Sequence, residues 1–89
     1  MEREIIIKNR SGLHARPAAK LVAFAKGFAE KITLSKGEKS APATSLLAIL
    51  GLGISQGDKV KVAVEGEEAE QVLDQFAQFA EQLAQEEAR

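Results

Sequence analysis

The spacing of apolar residues changes several times along the chain, and each change marks an element. Ile5-Ile6-Ile7, inside Glu2–Lys8, is a β-branched run and predicts a strand that is buried or partly buried. Asn9-Arg10-Ser11-Gly12 follows as a polar loop of turn-forming residues. Ala18, Leu21, Val22, Ala25 and Phe28 then recur at steps of three and four, which is one stripe of a helix. Pro17 suits the first turn of that helix, where a missing N–H costs nothing, and Gly27 is a natural stop. Lys20 and Lys26 fall off the stripe and should face water.

The period then drops to two. Ile32 and Leu34 alternate with Lys31, Thr33 and Ser35, as in a half-exposed strand. Lys36-Gly37-Glu38 turns the chain, and Lys39–Ala41 returns as a short strand that Pro42 ends or confines to an edge. Ser45 before Leu46–Leu50, with Gly51 and Gly53 beyond, predicts a short capped helix. Val60, Val62 and Val64 alternate with Lys59, Lys61 and Ala63 in the clearest strand of the chain. From Glu67 a last helix carries Ala69, Val72, Leu73, Phe76, Phe79, Ala80 and Leu83 on one face. Glu81, Glu86 and Glu87 sit towards its C-terminal end, where negative charge is unfavourable, so fraying after Leu83 is expected. The order β-α-β-β-α-β-α fits an α+β open-faced sandwich: a four-stranded, mainly antiparallel sheet with three helices on one face.

Composition narrows the chemistry. The 89 residues suit a single domain spanning 1–89, and 45% hydrophobic residues are enough for a packed core. Twelve Lys and Arg against thirteen Asp and Glu give a net charge of −1, which argues against a dedicated nucleic-acid binder or a polybasic membrane-surface protein. There is no Trp or Tyr, and Phe24, Phe28, Phe76 and Phe79 all fall in helical segments, so no strand offers a base-stacking platform. With no Cys and a single His, disulfides, thiolate metal sites, thiol catalysis and multi-histidine metal sites are excluded, and no cofactor is expected. No apolar run approaches membrane-spanning length, and Met1-Glu2-Arg3-Glu4 is unlike a signal peptide. A cytoplasmic protein without membrane insertion is expected.

One local arrangement stands out: Gly12-Leu13-His14-Ala15-Arg16-Pro17-Ala18-Ala19. A lone histidine is usually an ordinary surface or core residue, in which case His14 only helps to cap a helix and Arg16 is a solvated charge. Position supports more. His14 lies at a loop-to-helix junction, where the unpaired N–H groups of the first turn and the helix dipole form an anion site. Arg16 can offer a planar fork to phosphate oxygens, Pro17 fixes the turn, and Gly12 allows the loop a close approach. These parts suit a histidine that accepts and releases a phosphoryl group. Nothing in the chain matches a Walker-type loop or a Mg²⁺ site, so nucleotide is not expected as the direct donor.

This octapeptide resembles the active-site signature of the HPr family, the histidine-containing phosphocarriers of the bacterial phosphoenolpyruvate-dependent sugar phosphotransferase system. Ser45-Leu46-Leu47-Ala48-Ile49-Leu50-Gly51-Leu52-Gly53 resembles the regulatory-serine region of the same family, and the element order extends the resemblance over essentially the whole chain. The resemblance implies a phosphoryl carrier acting as a monomer, a covalent intermediate in a transferase chain rather than an enzyme. Enzyme I would phosphorylate His14 on Nδ1, and the group would pass to a histidine on the A domain of a sugar permease. Arg16 would stabilise the moving group, the N–H groups of Ala15 and Arg16 would cradle it, and Ser11 would assist.

Ser45 carries two readings. It is an N-cap, without a capping box because Ala48 stands where Glu or Gln would complete one. By resemblance it is also the target of an HPr kinase/phosphorylase, and the modified protein a co-repressor for a catabolite repressor; added negative charge there would interfere with enzyme I docking. Thr44 departs from the Lys or Asn usual before this serine. Leu46, Leu47 and Leu50 exceed what a short helix can bury, so an exposed docking patch is expected with Ala19 and Lys20 at its rim. Ile49 is the better core candidate. The runner-up function is the carrier of the nitrogen-related phosphotransferase branch, which shares the His-Ala-Arg-Pro region.

Overall fold

A computed structural model describes residues 1–87, excluding the side chain of Glu87. Its elements run β1 (Glu2–Ile6), α1 (Ala15–Ala25), β2 (Lys31–Lys36), β3 (Lys39–Pro42), α2 (Leu46–Leu50), β4 (Lys59–Glu65) and α3 (Ala69–Glu87). The strands form one sheet in the order β1-β4-β2-β3, and every neighbouring pair is antiparallel. This is the expected open-faced α+β sandwich.

The alternation in β4 decides which face is covered. Val60, Val62 and Val64 are buried, while Lys59 and Lys61 project to the open face. Register carries the same division into the neighbours: Ile32 stands opposite Val64, Leu34 opposite Val62, and Ala41 opposite Leu34. Ala18, Leu21, Val22 and Ala25 of α1, Ile49 of α2, and Val72, Leu73 and Phe76 of α3 close over this layer in one apolar cluster. On the open face Glu4 stands opposite Lys61 and Lys31 opposite Glu65, so opposite charges face each other across the strands.

Three local expectations need correction. The strand expected over Glu2–Lys8 ends at Ile6, and Ile6 is exposed because it stands opposite Lys59, on the face of the sheet that no helix covers. Ile7 leaves the strand and is buried. Phe28 lies past the end of α1 and is only half-buried; it joins Phe24, Phe76 and Phe79 in a ring cluster, with Phe24 stacked on Phe79 at 4.5 Å and 7°. Finally, α3 does not end at Leu83 but continues to Glu87. Leu83 is buried, Glu81 pairs with Lys8 at 2.7 Å, and Glu86 pairs with Lys20 at 2.8 Å. Those cations neutralise carboxylates that the helix dipole opposes, which an isolated helix could not do.

Candidate functional site

The site is built on the loop between β1 and α1. At its start Ile7 N–H donates to the Asp58 carbonyl at 3.0 Å, and Gly57 N–H donates to the Ile7 carbonyl at 2.7 Å. Asn9 is buried; its side-chain amide donates to the Gly12 carbonyl, and Gly12 N–H donates back to the Asn9 carbonyl at 3.0 Å. Leu13 N–H then reaches the Ile54 carbonyl at 3.1 Å, and its side chain enters the core.

Gly12 is required twice over. Its φ of +62° lies in the left-handed region, and a Cβ there would sit 2.5 Å from the Ile54 carbonyl oxygen and 2.8 Å from the Ser55 Cα. The close approach expected of Gly12 is therefore an approach to the backbone at 54–55. That backbone is itself held from the other side. Lys36 Nζ donates to the Gly53 carbonyl and pairs with Asp58, both at 2.7 Å, while Ser55 N–H donates to Asp58 Oδ2 at 2.8 Å. The Lys36 ammonium first, and the Ser55 N–H second, hold the Asp58 carboxyl below its ordinary value.

Past this support the chain turns into α1 at His14, whose φ of −77° and ψ of −172° are those of an N-cap. Its carbonyl accepts the first helical bond, from Ala18 N–H at 2.9 Å, but its side chain makes no capping bond. The imidazole is exposed and is not used to close the helix. Helix geometry leaves the N–H groups of Ala15 and Arg16 without an intrahelical carbonyl, and Pro17 in the next position has none to offer. Arg16 is exposed and makes no ion pair among the described residues. His14, Ala15, Arg16, Pro17, Lys20 and Ser11 line an open cleft whose far wall is Leu83 and Glu86 of α3. Ser11 is half-buried in it. An exposed imidazole, an arginine fork and two free N–H groups at the positive end of a helix can together hold a tetrahedral anion on a ring nitrogen.

The second region is separate from this cleft. Ser45 caps α2, its Oγ accepting from Ala48 N–H at 3.4 Å, so the capping role is realised. Leu47 is 82% exposed, Leu46 and Leu50 are half-buried, and Ile49 is fully buried. The helix does expose part of its apolar run, and Leu52 and Ile54 beyond it are core. Ala19 is exposed on α1, which packs against α2. Lys20, expected at the rim of the leucine patch, lines the His14 cleft and reaches across to Glu86.

The sequence places Asn9 in a loop and Leu83 and Glu86 on the last helix, without assigning any of them to the site. Asn9 carried a usable signal, since Asn in a turn commonly bonds to backbone nearby. Glu86 carried none; its place depends on how α3 crosses the sheet.

Fold and site together define a small α+β protein presenting one histidine at a helix N-terminus, an arrangement suited to carrying an anion rather than to transforming a bound substrate. Comparison with known proteins makes the class specific. The family model for the HPr component phosphorylation site of the phosphotransferase system matches residues 1–82. Phosphocarrier protein HPr of Haloferax volcanii is 40% identical over 76 residues, covering 83% of this chain and 85% of that protein. Phosphocarrier protein NPr of Shewanella violacea is 40% identical over 74 residues, covering 83% and 81%. The phosphoryl donor subunit DhaM of the PEP-dependent dihydroxyacetone kinase of Providencia stuartii is 42% identical over 76 residues; these cover 85% of this chain but only 16% of that protein. Among solved structures, HPr of Thermoanaerobacter tengcongensis superposes with a TM-score of 0.87 at 39% identity, covering 94% of each chain.

The chain belongs to the HPr family of the phosphotransferase system, and its HPr homologues are phosphocarrier proteins, not enzymes. No helix among the described residues is long and apolar enough to cross a membrane.

Proposed function

We propose that this protein carries a phosphoryl group on His14 between phosphorylated enzyme I and the A domains of sugar permeases. The observation that carries the reading is the exposed His14 side chain, which takes the N-cap position without making a capping bond. A ring nitrogen lone pair attacks phosphorus; the N–P bond on the enzyme I histidine breaks as the N–P bond to His14 forms, and the departing imidazole keeps the bonding pair. Arg16 grips the equatorial oxygens, and the N–H groups of Ala15 and Arg16, with Ser11, complete the cradle. An exposed, partial cradle keeps the group transferable, because no enclosed pocket has to open before it leaves.

Leu46, Leu47 and Leu50, with Ala19 beside them, serve as the docking surface for these partners, the exposed Leu47 as its centre. Phosphorylation of Ser45 by an HPr kinase/phosphorylase would put nearly two negative charges at the edge of that surface, weaken enzyme I docking and create a signal for a catabolite repressor. Residues 1–89 act as one HPr-like domain, monomeric and cytoplasmic, with no cofactor and no direct contact with nucleic acid. Service in the nitrogen-related branch is the second reading, favoured by the equal identity to an NPr and to an HPr.

The test is intact-protein mass after incubation with phosphoenolpyruvate, Mg²⁺ and enzyme I, with His14→Ala alongside. An acid-labile gain of one phosphoryl group in the wild type alone is expected. Uptake by His14→Ala would overturn the site assignment, and uptake only from a nitrogen-branch donor would move the protein to that branch.

A further inference from the structure

Among the described residues, the charged and titratable side chains lining the His14 cleft are His14, Arg16 and Lys20 from the α1 side and Glu86 from α3. Arg16 and Lys20 stand four residues apart, one helical turn, and so share a face. Lys20 Nζ is 2.8 Å from Glu86 Oε2, with the two side chains 51% and 55% exposed. Half-exposed pairs of this kind are weak and exchange readily. A phosphoryl dianion in the same cleft presents a larger charge than the carboxylate, and the flexible lysine stem allows the ammonium to turn towards it.

We infer that Lys20 is a second cationic contact for the phosphoryl group on His14, and that Glu86 holds its ammonium at the cleft rim until the group arrives. The inference rests on the reading of His14 as the phosphoryl acceptor. It deepens that reading by adding a charge from the sixth residue after the histidine, and a carboxylate that competes with the cargo. Release of the group would return Lys20 to Glu86, so Lys20 exchanges one anion for another and is not itself left unpaired. A pair that merely staples α3 to α1 would contribute to stability and leave the bound phosphoryl group unaffected.

Phosphorus NMR of the phosphorylated protein as a function of pH separates these roles without any docking partner. Wild type, Lys20→Met, Glu86→Gln and the double variant are loaded through enzyme I, or chemically with phosphoramidate where a variant is a poor substrate. A nearby cation favours the dianion. Lys20→Met should therefore move the phosphoryl titration midpoint to higher pH, by roughly a few tenths of a unit, and Glu86→Gln should move it lower. In the Lys20→Met background the Glu86→Gln effect should shrink to less than half. Added salt should compress both differences. An unchanged midpoint in Lys20→Met would overturn the inference while leaving His14 phosphorylation intact. A Glu86→Gln effect undiminished in the double variant would overturn the tethering role. Failure of the wild type to take up phosphoryl by either route would overturn the acceptor reading, and this inference with it.

Discussion

Replacing Gly12 by alanine tests whether the loop that carries His14 is held by close packing or only by a turn. Two costs add at this position. The left-handed φ of +62° penalises any Cβ by about 1–2 kcal/mol. The new methyl would also lie 2.5 Å from the Ile54 carbonyl oxygen and 2.8 Å from the Ser55 Cα, both backbone atoms that cannot swing aside. Relieving that overlap needs a shift approaching an ångström, comparable to overpacking a core, which costs roughly 1–3 kcal/mol. Gly37 supplies the control, with a φ of +61° and nothing within 4 Å of its would-be Cβ. Gly37→Ala should cost about 1 kcal/mol, reduced by the smaller entropy of its unfolded chain, and Gly12→Ala about 2–4 kcal/mol. Urea melts of the three proteins give the comparison. Under fully folded conditions, Gly12→Ala should also take up phosphoryl more slowly than Gly37→Ala, because the displaced loop carries His14. Equal destabilisation by the two substitutions would refute the close-approach argument, and a normal uptake rate in Gly12→Ala would refute the claim that the 54–55 backbone positions His14.

Three further outcomes follow from single contacts. The Asp58 carboxyl is held below 3.8 by Lys36 and the Ser55 N–H, so its contribution is present above that pH and is lost as pH falls through its lower folded value; Lys36→Met should be less stable than wild type at neutral pH, with the gap in urea melts narrowing below pH 3.8 to what the Lys36 bond to the Gly53 carbonyl supplies. Ser45→Ala removes a long cap of 3.4 Å and should cost about 0.5–1 kcal/mol, whereas Ser45→Asp should retain the cap and slow phosphoryl uptake from enzyme I; an unchanged rate would reduce Ser45 to its capping role. Leu47→Ala, at an 82% exposed position, should change stability by less than about 0.5 kcal/mol yet weaken partner binding in titration calorimetry, while Ile49→Ala should cost about 2–4 kcal/mol.

The elements of this fold were legible where a period was sustained. Val60, Val62 and Val64 announce both a strand and its buried face, and the α1 stripe from Ala18 to Ala25 is realised as written. Errors fell where neighbours in space decide the outcome. Ile5-Ile6-Ile7 does not say which face of β1 the helices will cover, so nothing in it distinguishes the exposed Ile6 from the buried Ile7. The glutamates near the end of α3 read as a frayed terminus because the dipole argument is local, whereas Lys8 and Lys20, which neutralise two of them, lie more than sixty residues away.

The same division runs through the candidate site. Gly12, His14, Arg16 and Pro17 fall within one short stretch, 12–17, and their roles in a loop entering a helix depend on chemistry that such a stretch can express by itself. What holds them in place is not contiguous. The chain returns at Ile54–Ser55 to limit Gly12, Asp58 ties that return to Lys36 of β2, and α3 brings Leu83 and Glu86 to the opposite wall. Placing the reactive side chain on a short exposed turn while fixing that turn against backbone from a distant segment separates two requirements. In the proposed role the ring meets another protein's histidine in solvent, and its origin stays fixed because Gly12 has no room to move towards Ile54. A motif scan finds the first requirement, since it is written in side chains. The second is written in backbone contacts between residues 12 and 54, and only folding brings them together.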